Sequence, residues 1–394
     1  MKIKIVNNIK LLIATVFLAL FLTGCWDREE LNTIAISGAI GIDKANDEVK
    51  LIMEVYNPSA SGGKSMKQEE TAKYIQSSGQ SFFDAIRNIT MIFDKKIFFA
   101  HTKALIISEE AARDGIVDLL DLWVRQHQPW PNTYILISKD VPPSEIIGVK
   151  SGIEDTTANY IDDLINNSKN TGKSVQTTVT EFLRNFYDRG SAVVSFIEKE
   201  EKAKALGMNN TEYQLKAKGA AVFSGQKLVG SLDDIEVRAM NFARGKIENS
   251  VIVSPSPDGE GINSIEVLKA DRKISAYIEE DEILFNLSIK IIGILGEETG
   301  KIDTDKNLEI LKDIASQNSK VVKKEVEDVI KKAQEELKTD IFGFDSAIHS
   351  KYPEQWKNIK DDWHNIFSTS EIRVTVNTDI RSIGLLSSPL EKGR

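Results

Sequence analysis

A single cysteine, Cys25, stands directly after Leu22, Thr23 and Gly24. An apolar residue, two small residues and a thiol in that order have the form of a bacterial lipoprotein cleavage site. In that chemistry a diacylglycerol is transferred to the sulfur at the bilayer surface. A peptidase that accepts only small residues before the bond then cuts between Gly24 and Cys25, and Cys25 becomes an S-diacylglyceryl, N-acylated first residue. The preceding segment fits: Lys2, Lys4 and Lys10 are the only charges of residues 1–24, and Leu11 to Leu22 is apolar except for Thr15. As a helix this run is about 18 Å long, against the roughly 30 Å needed to span a bilayer. The spacing therefore predicts a signal peptide at 1–24, a lipid anchor at Cys25 and no transmembrane helix in the mature chain. Two acyl chains on one residue hold a protein to a membrane stably, where one holds it only marginally.

Other chemistry is sought and not found. Gly63-Lys64-Ser65 and Gly172-Lys173-Ser174 end like phosphate loops, but Pro58 and Asn167 stand where the leading Gly must be. His101, His127, His349 and His364 lack the four-residue helical spacing of a zinc pair, and lipidation consumes the only thiol. No Gly-x-Ser-x-Gly elbow presents a nucleophile. Asp233-Asp234 and Glu279 to Glu282 follow no calcium-loop spacing and read as solvated loop acids. Tyr352, Trp356, Ile359, Trp363 and Ile366 form an aromatic-rich stripe that either packs on a sheet or, through Tyr352, Trp356 and Trp363, anchors a partner. The expectation is a protein that is not an enzyme, with no cofactor and no metal.

The elements that must carry these residues follow from composition and periodicity. Hydrophobic residues at 41% and charged residues at 28% are those of a folded domain, and 394 residues leave room for two or three. Cleavage takes the 50 basic residues to 47 against 59 acidic ones, a net charge of −12, which makes nucleic acid an improbable partner. Alternating strand and helix signals place a hairpin at 33–55, a strand at 97–107, a helix at 108–125 and a strand at 133–138, an α/β layer. Helical signals dominate 142–190, with Thr178 and Glu181 as a capping box, and a strand follows at 192–197. A polar stretch around 198–212 predicts the main boundary near 205, giving regions 25–205, with a subdivision near 140, and 206–390. The second region reads as a hairpin at 213–232, a helix near 237–243, and strands at 250–253, 264–278 and 282–295. A long amphipathic helix from Leu308 to Leu337, interrupted at Asn318, a second helical stretch and a closing strand at 372–376 complete it. The overall expectation is mixed α+β, mostly antiparallel sheets flanked by helices.

Particular strings then carry a resemblance. Gly24-Cys25-Trp26-Asp27-Arg28-Glu29-Glu30-Leu31-Asn32 resembles the processed start of the Ger(x)C family, the lipoprotein C subunits of spore germinant receptors. The similarity continues through AISGAIGID (35–43), FFAHTKALIISEEAARDGI (98–116), KGAAVFSGQKLVGSL (218–232), DIFGF (340–344), KYPEQW (351–356) and VTVNTDIRSIG (374–384). Asp345 departs from the pattern, since relatives continue there with Gly. The resemblance implies a multidomain α/β architecture and a non-enzymatic subunit on the outer face of the inner spore membrane. It also implies A and B membrane subunits as partners, with Trp26 and Asp27 among the contacts nearest the bilayer. Two other classes remain open: a solute-binding lipoprotein of an importer and a lipoprotein enzyme of the envelope.

Overall fold

The computed structural model describes residues 33–45, 48–56, 72–125, 132–202, 212–279, 282–299 and 308–381, together with Lys10. Cys25, its cleavage site, Trp26 and Asp27 lie outside the described residues, as does the loop around Gly63. No described helix is long and apolar enough to cross a membrane.

The first sheet orders its strands β3-β2-β1-β5-β6-β7-β8-β9, with a short β4 beside the start of β1. β1 (Ile34–Ala45) pairs antiparallel with β2 (Glu48–Tyr56), and β2 with β3 (Ala72–Gly79). β1, β5 (Ala104–Ser108), β6 (Tyr134–Ser138) and β7 (Ser191–Glu201) run parallel. Both faces of these inner strands are covered, so they are apolar without alternation, and all five residues of β5 are buried. One face carries α1 (Phe82–Ile89), α2 (Glu109–Asp114), α3 (Val117–Arg125) and α6 (Val179–Arg189). The other carries α4 (Pro143–Ile146) and α5 (Thr157–Ser168). Thr178 and Glu181 form the capping box that the sequence predicts.

Two expected elements are broken, for local reasons. The strand expected over 97–107 is β4 (Lys96–Phe98) and β5, which pair with successive parts of β1 and are separated by an excursion at 99–103. The helix expected from 108 to 125 ends its first part at Gly115, whose φ of +133° an L side chain rarely adopts, and restarts at Val117.

The boundary expected near 205 lies outside the described residues. It falls in the connection between β7 and β8 (Tyr213–Ser224), which pair antiparallel from Ser191 and Ser224 to Glu201 and Tyr213. β8 and β9 (Lys227–Leu232) complete the first sheet, so that sheet ends only at Leu232.

The second sheet is β10 (Ser250–Pro255), β11 (Ile262–Glu279), β12 (Glu282–Glu298) and β13 (Glu371–Ile380) in that order. Its first three strands form an antiparallel meander, and β13 returns parallel to β12. Between them run α8 (Leu308–Lys332), a wide turn at Ala333–Leu337, and α9 (Phe344–Lys351), α10 (Pro353–Ile359) and α11 (Trp363–Thr369). Asn318, the interruption in the apolar stripe of α8, is fully buried against β13, its Oδ1 accepting from Thr378 Oγ1 at 3.0 Å.

The two sheets share one core. Val193, Ala220 and Val222 of the first sheet belong to the same buried cluster as Phe285, Ile289 and Val376 of the second. α7 (Asp234–Arg244) contributes Val237, Met240 and Phe242 to that cluster. Asp233, read from sequence as a solvated acid, caps α7 by accepting from the Ile235 and Glu236 amides. A buried ion pair ties α7 to α8: Arg238 Nη2 donates to Glu325 Oε1 at 2.5 Å, with side-chain exposures of 7% and 17%. Burial nevertheless pushes the Glu325 carboxyl up, opposed by Arg238. Arg238→Ala should therefore leave a buried carboxylate without its cation and lower the unfolding free energy by about 3–5 kcal/mol. Denaturant unfolding of the full chain in zwitterionic detergent checks this, and a loss below about 1 kcal/mol refutes it.

Candidate functional site at the junction of the sheets

Asp340 is buried where the second region meets the first, and four donors converge on its carboxylate. Oδ1 accepts from the amides of Phe342 and Gly343, each at 2.9 Å. Oδ2 accepts from the Asp345 amide at 2.9 Å and from Trp363 Nε1 at 3.1 Å. The carboxylate thus folds residues 340–345 around itself, an Asx-type turn closed by an indole. Gly343 at φ +88° stands where an added Cβ would lie 3.1 Å from Arg189 Nη1, so the turn needs a residue without one. Asp345 sits in the first turn of α9, a helical position that makes no demand for Gly.

Four elements grip the outside of this turn. From β7, Ser191 Oγ donates to the Asp340 carbonyl at 2.8 Å, and from the end of α6, Arg189 places Nε 3.7 Å from Asp345 Oδ2. From α7, Arg244 Nε donates to the Ile341 carbonyl at 2.6 Å. Arg272 of β11 donates from Nη1 to the carbonyls of Phe342 and Ala243, each at 3.0 Å. The apolar residues of the turn point inward: Phe342 and Phe344 pack with Phe285, Trp363 and Phe367, at ring separations of 4.9 to 6.5 Å.

Trp363 is therefore a core residue, 5% exposed, and is not available to a partner. Tyr352, Trp356, Ile359 and Ile366 are half-buried and pack against the same core. Trp356 lies edge-on to Trp363 at 5.3 Å and stacks on His349 at 5.5 Å. The stripe is carried by two short helices and a turn, where the sequence predicts one helical stretch.

Beside the turn a cleft of about 600 Å³ opens between α6 and α7. Arg184, Arg189, Arg244, Lys246 and Arg272 line it. Burial pulls Arg244 down to about 10, helped by Arg189 and Arg272 and opposed by Asp340. Burial also lowers Lys246, with Arg244 the largest neighbouring charge against it, and lowers Arg272, with Arg189 against it. Asp345 is pushed up by burial and by Asp340, against the pull of Arg189. Gly172 and Ser174, from the second near-miss phosphate loop, reach the cleft through their carbonyls, which accept from Asn241 Nδ2. Carbonyls presented this way cradle no phosphate, and Lys173 is paired with Asp234 at 2.9 Å. Among the described residues no three His, Cys, Asp or Glu side chains gather as a metal site. Sequence reasoning found the 340–344 string but not its role, and it missed the cleft, whose cations lie on α6, α7, β11 and the segment after α7.

Residues 27–199 match the family model described as the spore germination protein N-terminal domain. Residues 218–384 match the model described as spore germination B3/GerAC like, C-terminal. Spore germination protein KC of Bacillus subtilis (strain 168) is 25% identical over 402 residues, spanning 97% of this chain and 98% of the relative. Spore germination protein A3 of the same organism is 25% identical over 371 residues, spanning 93% and 95%. Among solved structures, the crystal structure of the GerBC protein shares the fold with a TM-score of 0.57 and 21% identity, covering 86% of this chain and 96% of that one.

Proposed function

The chain belongs to the Ger(x)C family of spore germination proteins, and from that premise we propose that it is a lipid-anchored, non-enzymatic subunit of a spore germinant receptor. It holds the A and B membrane subunits in a working arrangement at the outer face of the inner spore membrane. The observation that carries this reading is the shared core. Two sheets joined by one hydrophobic cluster and locked by the turn at 340–345 make a stiff body, which suits a spacer between membrane partners. Anchoring through Cys25 keeps that body at the bilayer, where the effective concentration of partners is high without any new contact.

The solute-binding alternative requires two lobes that close about a hinge on a ligand. Here the surface between the sheets is filled by α7 and its buried neighbours, so hinge closure would have to break a continuous core. The test is genetic and biochemical. Deleting the gene should abolish or strongly slow germination through its own receptor, while sporulation and vegetative growth stay intact. A pull-down from spore membranes should recover A and B subunits. Recovery of an importer's permease, or a nutrient bound at micromolar affinity by the purified chain, would favour the alternative.

A further inference from the structure

We propose that the cleft between α6 and α7 is a binding site for a small oxyanion, a phosphate or polycarboxylate carrying at least two negative charges. The argument begins with an imbalance. In a chain of net charge −9, six cationic side chains line one cleft: Lys169, Arg184, Arg189, Arg244, Lys246 and Arg272. Arg184, Arg244, Lys246 and Arg272 make no ion pair with any described carboxylate. Two acids share the lining, one held in a helix cap and the other beside Lys169, which also lines the cleft. Glu181 accepts from the Thr178 amide at 3.1 Å in its capping box, and Glu248 lies 3.7 Å from Lys169. Of the two carboxyls behind the cleft, Asp340 has its oxygens filled by four donors, and Asp345 lies 3.7 Å from Arg189, the remaining cation of the turn.

Geometry adds preorganisation to charge. Arg244 commits only Nε to the turn, and Arg272 only one Nη, so each guanidinium is held in place with N–H groups left over. Planar forks fixed in this way suit the bidentate recognition of carboxylate and phosphate oxygens. Arg184 and Lys246 add positive charge at the rim of the cleft. Mutual repulsion among the cations is relieved when an anion enters, and a bound dianion is favoured over a monoanion for the same reason. Asn241 Oδ1, buried on the lining without a partner, is an acceptor that a protonated phosphate or carboxyl oxygen can satisfy.

The test uses the full chain in zwitterionic detergent at fixed ionic strength. Titration calorimetry with inorganic pyrophosphate and with citrate should give saturable one-to-one binding that chloride at equal ionic strength does not reproduce. The double variant Arg184→Ala, Lys246→Ala changes only exposed side chains and should weaken binding at least tenfold. Lys323→Ala, Lys331→Ala removes the same charge from the exposed face of α8 and should leave it unchanged. A parallel arm with phosphatidylglycerol vesicles, against phosphatidylcholine ones, asks whether the oxyanion is a lipid headgroup. Loss of vesicle retention in the cleft variant alone assigns it to the bilayer, whereas saturation by soluble pyrophosphate assigns it to solution. Binding of neither source, or binding that both double variants weaken equally, overturns the site.

Discussion

Asp340→Ala is expected to be the most damaging single substitution in the described structure, lowering the unfolding free energy by roughly 4–6 kcal/mol. The carboxylate accepts from three backbone amides and from Trp363 Nε1, and each of these donors is buried with it. An unsatisfied buried donor costs about 1–3 kcal/mol, so losing the common acceptor exceeds the cost of any one bond, though the losses are not additive. The turn also presents the carbonyls that Ser191, Arg244 and Arg272 hold. Its collapse should loosen the junction and not only the second region. Denaturant unfolding of the full chain in detergent measures the loss, and amide exchange on β7 and α7 should show reduced protection. Trp363→Phe keeps most of the ring and removes one donor, so a smaller loss of about 1–2 kcal/mol is expected. Asp361→Ala, at an exposed position, should change stability by less than about 0.5 kcal/mol. An Asp340→Ala chain within 1 kcal/mol of the parent refutes the central role of the turn.

The second large effect concerns the membrane. Cys25→Ala should leave an uncleaved, unlipidated precursor, because the thiol is both the acceptor of the diacylglycerol and the residue before which the peptidase cuts. Mass spectrometry of the amino-terminal peptide decides this directly. An unmodified Cys25 in the parent chain, or cleavage at another bond, removes the lipoprotein reading. In spores lacking the gene, the Cys25→Ala copy should rescue germination poorly, with a rate lower by a factor on the order of 10² or more. That is the range by which tethering raises an effective affinity. Full rescue by the unanchored chain would show that the anchor is dispensable and that partner contacts alone recruit the protein. The two substitutions separate the proposals, since one attacks the body of the protein and the other only its attachment.

Local pattern reaches only as far as contacts between neighbouring residues. Ser81, Ser108 and Thr178 cap helices as their spacing foretells, because a cap is satisfied by the amide three residues on. The alternation of Val374 and Val376 with polar residues marks β13, because side-chain direction in a strand has period two. The hairpins at 34–56 and 213–232 were legible because their partners adjoin in sequence.

What only the tertiary structure decided depends on residues far apart in the chain. Sequence placed a boundary at 205, yet whether a strand joins the sheet before it or after it is settled by pairing, which a polar connection does not encode. The aromatic stripe left open whether Trp363 packs or projects, and the answer lay 23 residues away in the Asp340 carboxylate. The basic cleft had no sequence signature, since Arg184, Arg189, Arg244, Lys246 and Arg272 are spread along the chain and follow no motif. They become a site only when the shared core brings α6, α7 and β11 together. Local patterns are fixed by the geometry of neighbouring residues, so apolar periods and caps determined the elements by themselves. Electrostatic and packing energies depend on distance in space, so the junction, its buried carboxylate and the cleft exist only in the folded chain.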